Sequence, residues 1–422
     1  MIYKRFELGN EIEFTAIIDN KFKSSSLAVY FITELNEKTA AVNNLGISIL
    51  TVSSSQYRTY ASLCEKLSEL YGAGLGSLAR KKGDAQILGL RASWLDNKYA
   101  LNGEDINGEM RRLLQSCIFE PNISGKEFDP DSFNIVKKDL IDRIDGELNQ
   151  KRSYAISQAA KTAFKGEPAE CTGYGSREAA AEATSGDALS AYHELMKTAR
   201  IEVYYVSPNE DSSFAEMFAE GFKDIERAPR KASVRNHSPL KPESVTVSEE
   251  FDVNQCKMVL AFKTDSDDKY ALKMLSIIYG EMPFSKLFLS VREKLSLCYY
   301  CTSTSISAKG TFFVDSGIER CNIDKARDEI LAQLEEIKKG NITDEEIESS
   351  LMALDNAILQ IGDTPSSYIS WFFDCFSDGQ YITPEEHFEK FKAVTKEKII
   401  EAANSLKLDT VYLMLDKEVQ EQ

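Results

Sequence analysis

Histidine is almost missing from this sequence. The 422 residues include 3, none before His193. His193, His237 and His387 stand alone, with no second histidine or cysteine at ligand spacing. Neither His-Glu-x-x-His nor His-x-x-Glu-His occurs, and Gly-x-Ser-x-Gly is absent. The local signatures of a zinc-peptidase helix and of a hydrolase nucleophile turn are therefore excluded. No window approaches the roughly 20 apolar residues of a membrane span. The opening MIYKRFELGNEIEFTAIID has neither an apolar core nor a small-residue cleavage site. Positive charge is also short, 50 Lys and Arg against 67 Asp and Glu for a net charge of −17, which argues against nucleic acid as a partner. The 8 cysteines are scattered between Cys64 and Cys375 and form no compact disulfide framework. They read as reduced, mostly buried thiols, and the expected setting is the cytoplasm with no membrane partner.

What is present is the composition of a folded protein, 43% hydrophobic and 10% aromatic, in a chain long enough for two domains. SSSLAVYFITEL (24–35) is strand-like and is expected to pair with the preceding EFTAIID. Helical spacing follows at Val42, Leu45, Ile49 and Val52, then at Leu63, Leu67 and Leu70, with Gly72 as the stop. Strands are predicted at 73–80 and 86–94 around Lys82-Gly83-Asp84, then helices, and a helix at 184–198 running into IEVYYVS. The second half repeats much of this order. Helical runs near 269–279 and 284–294 precede strands at 299–306 and 311–317, and Thr343 with Glu346 forms a capping box. SSYISWFFDCFSDG echoes RSYAISQAAKTAFKG, and VTKEKIIEAANSLKLDTVYLML echoes ATSGDALSAYHELMKTARIEVYYVS. Both echoes lie roughly 210 residues apart, the mark of a tandem duplication. The predicted fold is α+β: two homologous sandwich repeats, each a mostly antiparallel sheet covered by helices. They span 1–225 and 248–422, joined by a Pro/Ser-rich linker over 226–247.

The joint VREKLSLCYY (291–300) concentrates the chemistry. Arg292 leaves a helix seven residues before Tyr299, which opens a hydroxyl-rich strand. Beside them, Cys298 and Cys301 form a Cys-x-x-Cys. In a regular strand an odd separation sends two side chains to opposite faces, so these thiols are expected to be packed apart and not to chelate or bridge. Gly72, Gly74 and Gly76 follow a helix and open none, unlike a phosphate-cradling loop.

Glu281-Met-Pro-Phe-Ser-Lys-Leu-Phe followed by Val291-Arg-Glu-Lys-Leu-Ser-Leu-Cys-Tyr299 resembles the second-repeat signature of the insulinase and mitochondrial-processing-peptidase family of zinc peptidases, the inverzincins. CEKLSELYGAGL (64–75) resembles the family's first-repeat helix and glycine turn, and the closing helices of both halves match in order. The resemblance covers essentially the whole chain and implies two repeats that together form half of a chamber. In active members the first repeat carries His-x-x-Glu-His. Alignment through Gly72 places that motif at Asn44, Ile47 and Ser48, and the third zinc ligand near Asp142 and Arg143. No histidine or carboxylate occurs in 39–55. The resemblance thus implies a chain that binds no metal, with zinc on a partner.

The family's second repeat grips the substrate backbone through an Arg and a Tyr, matched here by Arg292 and Tyr299. The resemblance therefore implies a non-catalytic bacterial subunit of a heterodimeric zinc endopeptidase, taking part in peptide or protein processing. Its partners would be a zinc-bearing paralogue and a peptide, the latter adding to a sheet edge for which 73–80 is the candidate strand. The alternative is an inactive scaffold or assembly protein that keeps the peptidase fold.

Overall fold

The computed structural model describes residues 1–417. They divide into two compact units, each built on one sheet. The first unit contains β1 (Ile2–Gly9), β2 (Ile12–Ile18), β3 (Ser24–Glu34), β4 (Gly74–Lys82) and β5 (Ala85–Leu95), the short ribbon of β6 (Ile123–Ser124) and β7 (Glu127–Phe128), and β8 (Arg200–Ser207). Its six-stranded sheet has the order β1-β2-β8-β3-β5-β4. All neighbours are antiparallel except β2 and β8. β8 thus separates β2 from β3, where the sequence suggested direct pairing of EFTAIID with 24–35. The reason lies in burial. Seven consecutive residues of β8, Ile201 to Ser207, are buried, and a strand with no solvent-facing side belongs in a sheet's interior.

Alternation along β3 divides the core of this unit. Leu27, Val29 and Phe31 face one way and pack with Leu45, Leu113, Val136 and Leu195 of the helices Glu37–Ser48, Ile106–Phe119, Pro130–Asp145 and Ser185–Thr198. Ala28, Tyr30 and Ile32 face the other way, against Tyr368, Ile369, Phe372 and Phe373 of the helix Pro365–Asp378.

The second unit contains β9 (Val245–Phe251), β10 (Cys256–Lys263), β11 (Cys298–Ile306), β12 (Thr311–Ile318) and β13 (Lys407–Asp416), in the order β11-β12-β10-β13-β9. Only β13 and β9 run parallel. Met258, Leu260, Phe312 and Val314 face the helices Lys269–Ser276, Ile323–Lys338 and Lys396–Ser405. Val259, Ala261, Phe313 and Tyr412 face Ala155, Ala159 and Ala163, the i, i+4 stripe of the helix Lys151–Ala163.

The two echoing segments RSYAISQAAKTAFKG and SSYISWFFDCFSDG are therefore the helices that cover the second face of a sheet. Each belongs to the unit that its place in the sequence would not suggest. The first unit comprises Met1–Asp145, Cys171–Val234 and Ile361–Tyr381, and the second takes in Gly146–Glu170, Arg235–Gln360 and the chain from Ile382. The contiguous repeats 1–225 and 248–422, with 226–247 as the link, are thus not the boundaries of the compact units. Each sheet has two apolar faces to bury, and the second is covered by a helix lying outside the run of chain that forms most of that unit.

Candidate functional site

In the first unit, the stretch matched to the zinc motif lies on the helix Glu37–Ser48, capped by the Asn36 side chain accepting from the Lys38 N–H. Asn44 and Ser48 are one turn apart on the face that looks into a cavity of about 360 Å³. Ile47 is fully buried in the core instead. The Ser48 hydroxyl donates to Asn44 Oδ1 at 3.1 Å, and the Ser77 hydroxyl of β4 donates to Ser48 Oγ at 3.1 Å. Opposite, the helix Pro130–Asp145 contributes Val136, Asp139, Leu140 and Arg143, the i, i+3, i+4, i+7 face. Asp142 points outward and pairs with Lys138.

The structure brings Asn44, Ser48 and Arg143 together and leaves Ile47 and Asp142 out. Sequence reasoning missed Asp139, Ser77 and Cys64, which also line this cavity; helical spacing from Arg143 was the signal for Asp139. This donor set does not fit zinc. Among the lining residues Cys64 and Asp139 are the two of a zinc-ligating type, fewer than the three protein ligands zinc needs, and Asp139 lies one turn from the Arg143 guanidinium. No group of three His, Cys, Asp or Glu suited to a metal occurs among the described residues. What the cavity offers is a polar floor beside β4, which is an edge strand of its sheet.

In the second unit, the joint around Arg292 is irregular at three consecutive points. The helix Lys269–Ser276 runs on into a π-helical turn, Ile277–Glu281, and Phe288–Lys294 is π-helical as well, where the sequence suggested a plain amphipathic helix. Such wide turns occur often at functional positions. Ser296 then takes φ +49°, while the Leu295 and Leu297 N–H groups donate back to Ser290 and Val291 carbonyls at 3.1 and 3.0 Å. Finally, β11 opens with a bulge: Cys298 lies opposite Ile318 and Tyr300 opposite Gly317, leaving Tyr299 as the extra residue.

The consequence is exposure. Tyr299 is 62% exposed, and its hydroxyl makes no hydrogen bond among the described residues. Arg292 is 43% exposed, stacked with its guanidinium carbon 4.6 Å from the Phe288 ring centre and its Nε 3.6 Å from Glu293. Two donors are thus presented to solvent at the edge of the sheet, since β11 is its outermost strand.

The bulge also corrects the reading of Cys298 and Cys301. Cys301 lies opposite Ser316, so the two cysteines face Ile318 and Ser316, residues two apart on β12 and hence on one face. Both belong to the same apolar cluster. The neighbouring Cys301 thiol lowers the Cys298 pKa, while Cys298 and burial together raise that of Cys301 well above the ordinary thiol value. The charge of Arg292 lowers Cys298 further.

Residues 182–354 match the Peptidase M16 inactive domain. A Bacillus subtilis protein described as a probable inactive metalloprotease, YmfF, is 26% identical over 398 residues, covering 93% of each chain.

This chain is similar to the M16 peptidases.

A conserved protein from Enterococcus faecalis has a crystal structure that superposes with a TM-score of 0.91 at 26% identity, over 99% of this chain and 100% of that one. A Pseudomonas fluorescens peptidase M16 inactive domain shares the fold at a TM-score of 0.79 and 16% identity, with full coverage of both chains. Both the matched domain and the Bacillus relative are described as inactive. No helix among the described residues is long and apolar enough to cross a membrane.

Proposed function

We propose that this chain is the non-catalytic subunit of a heterodimeric zinc metalloendopeptidase that processes peptides in the cytoplasm. Zinc is carried by a paralogous partner chain, and this chain supplies Arg292 and Tyr299 to the peptide backbone and to the oxyanion that develops during hydrolysis. The supporting observation is that both side chains stand in solvent on an irregular joint, the Tyr299 hydroxyl without any hydrogen bond among the described residues. A guanidinium and a phenol placed this way donate to a carbonyl and strengthen as it gains charge.

The test is turnover of a peptide library by the zinc-bearing paralogue from the same organism, with and without this chain. The reading expects activity only in the mixture. Arg292→Ala should cut turnover about a hundredfold, the worth of one oxyanion donor. Identical turnover with and without this chain would refute it.

A second reading, an inactive scaffold that holds peptides uncleaved, is favoured by the 360 Å³ cavity beside β4. An extended peptide adding to that edge strand would place a side chain over Ser77, Asn44 and Arg143. Peptide binding by the isolated chain, abolished by proline in β4 but unaffected by Arg292→Ala, would support it.

A further inference from the structure

The Cys298-x-x-Cys301 pair is assembled by the bulge and not by its spacing. β11 spends three residue steps where β12 spends two, so both thiols reach the same face. Two steps of strand rise come to about 7 Å. That is at the upper edge of the roughly 4.4–6.8 Å between Cα atoms that a disulfide bridges, and a bulge is where a strand can yield the small remainder. Cys301 is 4% exposed, whereas Cys298 is half-buried at the rim of the cluster, on the outermost strand and beside the Arg292 cation. A half-buried rim thiol with a buried thiol beside it on the same face has the placement of an attacking and a resolving cysteine.

We propose that Cys298 and Cys301 form a reversible redox site, closed to an intramolecular disulfide across Tyr299 by a low-molecular-weight disulfide such as oxidised glutathione. The Cys298 thiolate attacks one sulfur of glutathione disulfide. That S–S bond breaks, and the first glutathione leaves with the proton from Cys298. The Cys301 thiol, losing its proton, attacks Cys298 Sγ and expels the second glutathione. Two protein thiols are oxidised and one glutathione disulfide is reduced to two thiols, so the step balances without another reagent. Transient pairs of this kind are the usual cytosolic disulfides. The ring encloses the extra residue of the bulge, so oxidation would fix how Tyr299 is presented; that consequence rests on the subunit reading, while the redox site does not.

The experiment uses the full chain with the exposed Cys321 changed to serine, equilibrated in glutathione buffers from fully reduced to fully oxidised, then acid-quenched, alkylated and peptide-mapped by mass. The expected result is a peptide linking Cys298 to Cys301, lighter by two hydrogens, that appears with the oxidised fraction and reverts with dithiothreitol. Cys301→Ser should instead retain a glutathione adduct on Cys298, and Cys298→Ser should leave Cys301 unreacted. Both thiols remaining free in fully oxidised buffer, or a stable glutathione adduct on wild-type Cys298, would overturn the proposal. The wild-type titration decides it even if a buried-cysteine variant fails to fold.

Discussion

Replacing Glu202 by glutamine isolates the electrostatics of the first unit. Glu202 is 0% exposed on the interior strand β8, a position no carboxylate occupies without partners. Arg5 grips it with two bonds, Nη1 to Oε2 at 2.8 Å and Nη2 to Oε1 at 3.0 Å. Arg200 adds Nε and Nη2 to Oε1 at 3.0 and 2.9 Å, and the Tyr204 hydroxyl donates to Oε2 at 3.2 Å. Burial works against the Arg5 charge, yet the hydrogen bonds and charge of Glu202 outweigh it and hold the Arg5 pKa above its ordinary value.

Glutamine keeps one acceptor and puts an N–H₂ where Oε2 meets Arg5 Nη1. It thus removes about two charge-assisted bonds of roughly 1.5–3 kcal/mol each, in line with about 3–5 kcal/mol for breaking a buried pair from one side. With a urea m-value of about 2–3 kcal/mol/M, the midpoint should fall by roughly 1–2 M. The readout is unit-specific, because the chain has 2 tryptophans, Trp94 and Trp371, and both lie in the first unit. Urea titration followed by tryptophan fluorescence therefore reports the unit that holds Glu202. The double variant Arg5→Met/Glu202→Leu, which leaves less charge stranded, should lose less than Glu202→Gln. A midpoint for Glu202→Gln within roughly 0.2 M of wild type would refute the argument that this buried carboxylate holds the two guanidinium groups.

Phe373, 1% exposed and edge-on to Tyr30 with centroids 5.0 Å apart, should cost about 3–5 kcal/mol when changed to alanine, seen as an earlier fluorescence midpoint. Gly310 has φ +57°, and a Cβ there would sit 2.7 Å from the Thr264 carbonyl oxygen. Gly310→Ala should thus destabilise the second unit by more than the ~1 kcal/mol of an ordinary glycine replacement, read by circular dichroism. Alkylation of Cys298 by iodoacetamide should show a pH midpoint below the usual 9.0 of a thiol. The thiolate form is favoured by the neighbouring Cys301 first, by Ser316 next and by the Arg292 charge last, against the cost of burial. Cys301→Ser should therefore raise that midpoint more than Arg292→Ala, and a reversed order would contradict the assigned causes.

Much of the fold was legible because periodicity reports which faces of a segment are apolar. Strands expected at 73–80, 86–94, 299–306 and 311–317 are found at Gly74–Lys82, Ala85–Leu95, Cys298–Ile306 and Thr311–Ile318, and the Thr343 capping box is present. Periodicity does not report partners. Nothing local to EFTAIID says that β8 lies between it and β3, and the echo of 152–166 in 366–379 marks two equivalent helices without saying which sheet each covers. The Ala155, Ala159, Ala163 stripe and the aromatic face of Tyr368, Phe372 and Phe373 suit different sheets, a fit that becomes visible only when both surfaces exist. The site was half legible for the same reason. Asn44, Ser48 and Arg143 do meet at one cavity; Asp139 was marked by its helical spacing from Arg143, while Ser77 joins them through packing that sequence order conceals.

The misreading of the two cysteines is the more instructive case, because the rule applied was right and its premise was not. Alternation holds only while strand registers advance together, and at Tyr299 they do not. A bulge, two π-helical turns and a serine at φ +49° fall between Ile277 and Tyr300. A non-glycine residue held at positive φ alone costs on the order of 1–3 kcal/mol. In the first unit, the helix carrying Asn44 is an ordinary α-helix with a side-chain cap. Of two related repeats, then, one has a regular backbone where the zinc motif would stand, and the other bears backbone strain where Arg292, Cys298 and Tyr299 emerge. The π-helical turns bury Ile277, Ile278, Tyr279 and Val291, whereas the extra residue of the bulge is a tyrosine lifted to 62% exposure, so core packing accounts for the turns and not for the placement of Tyr299.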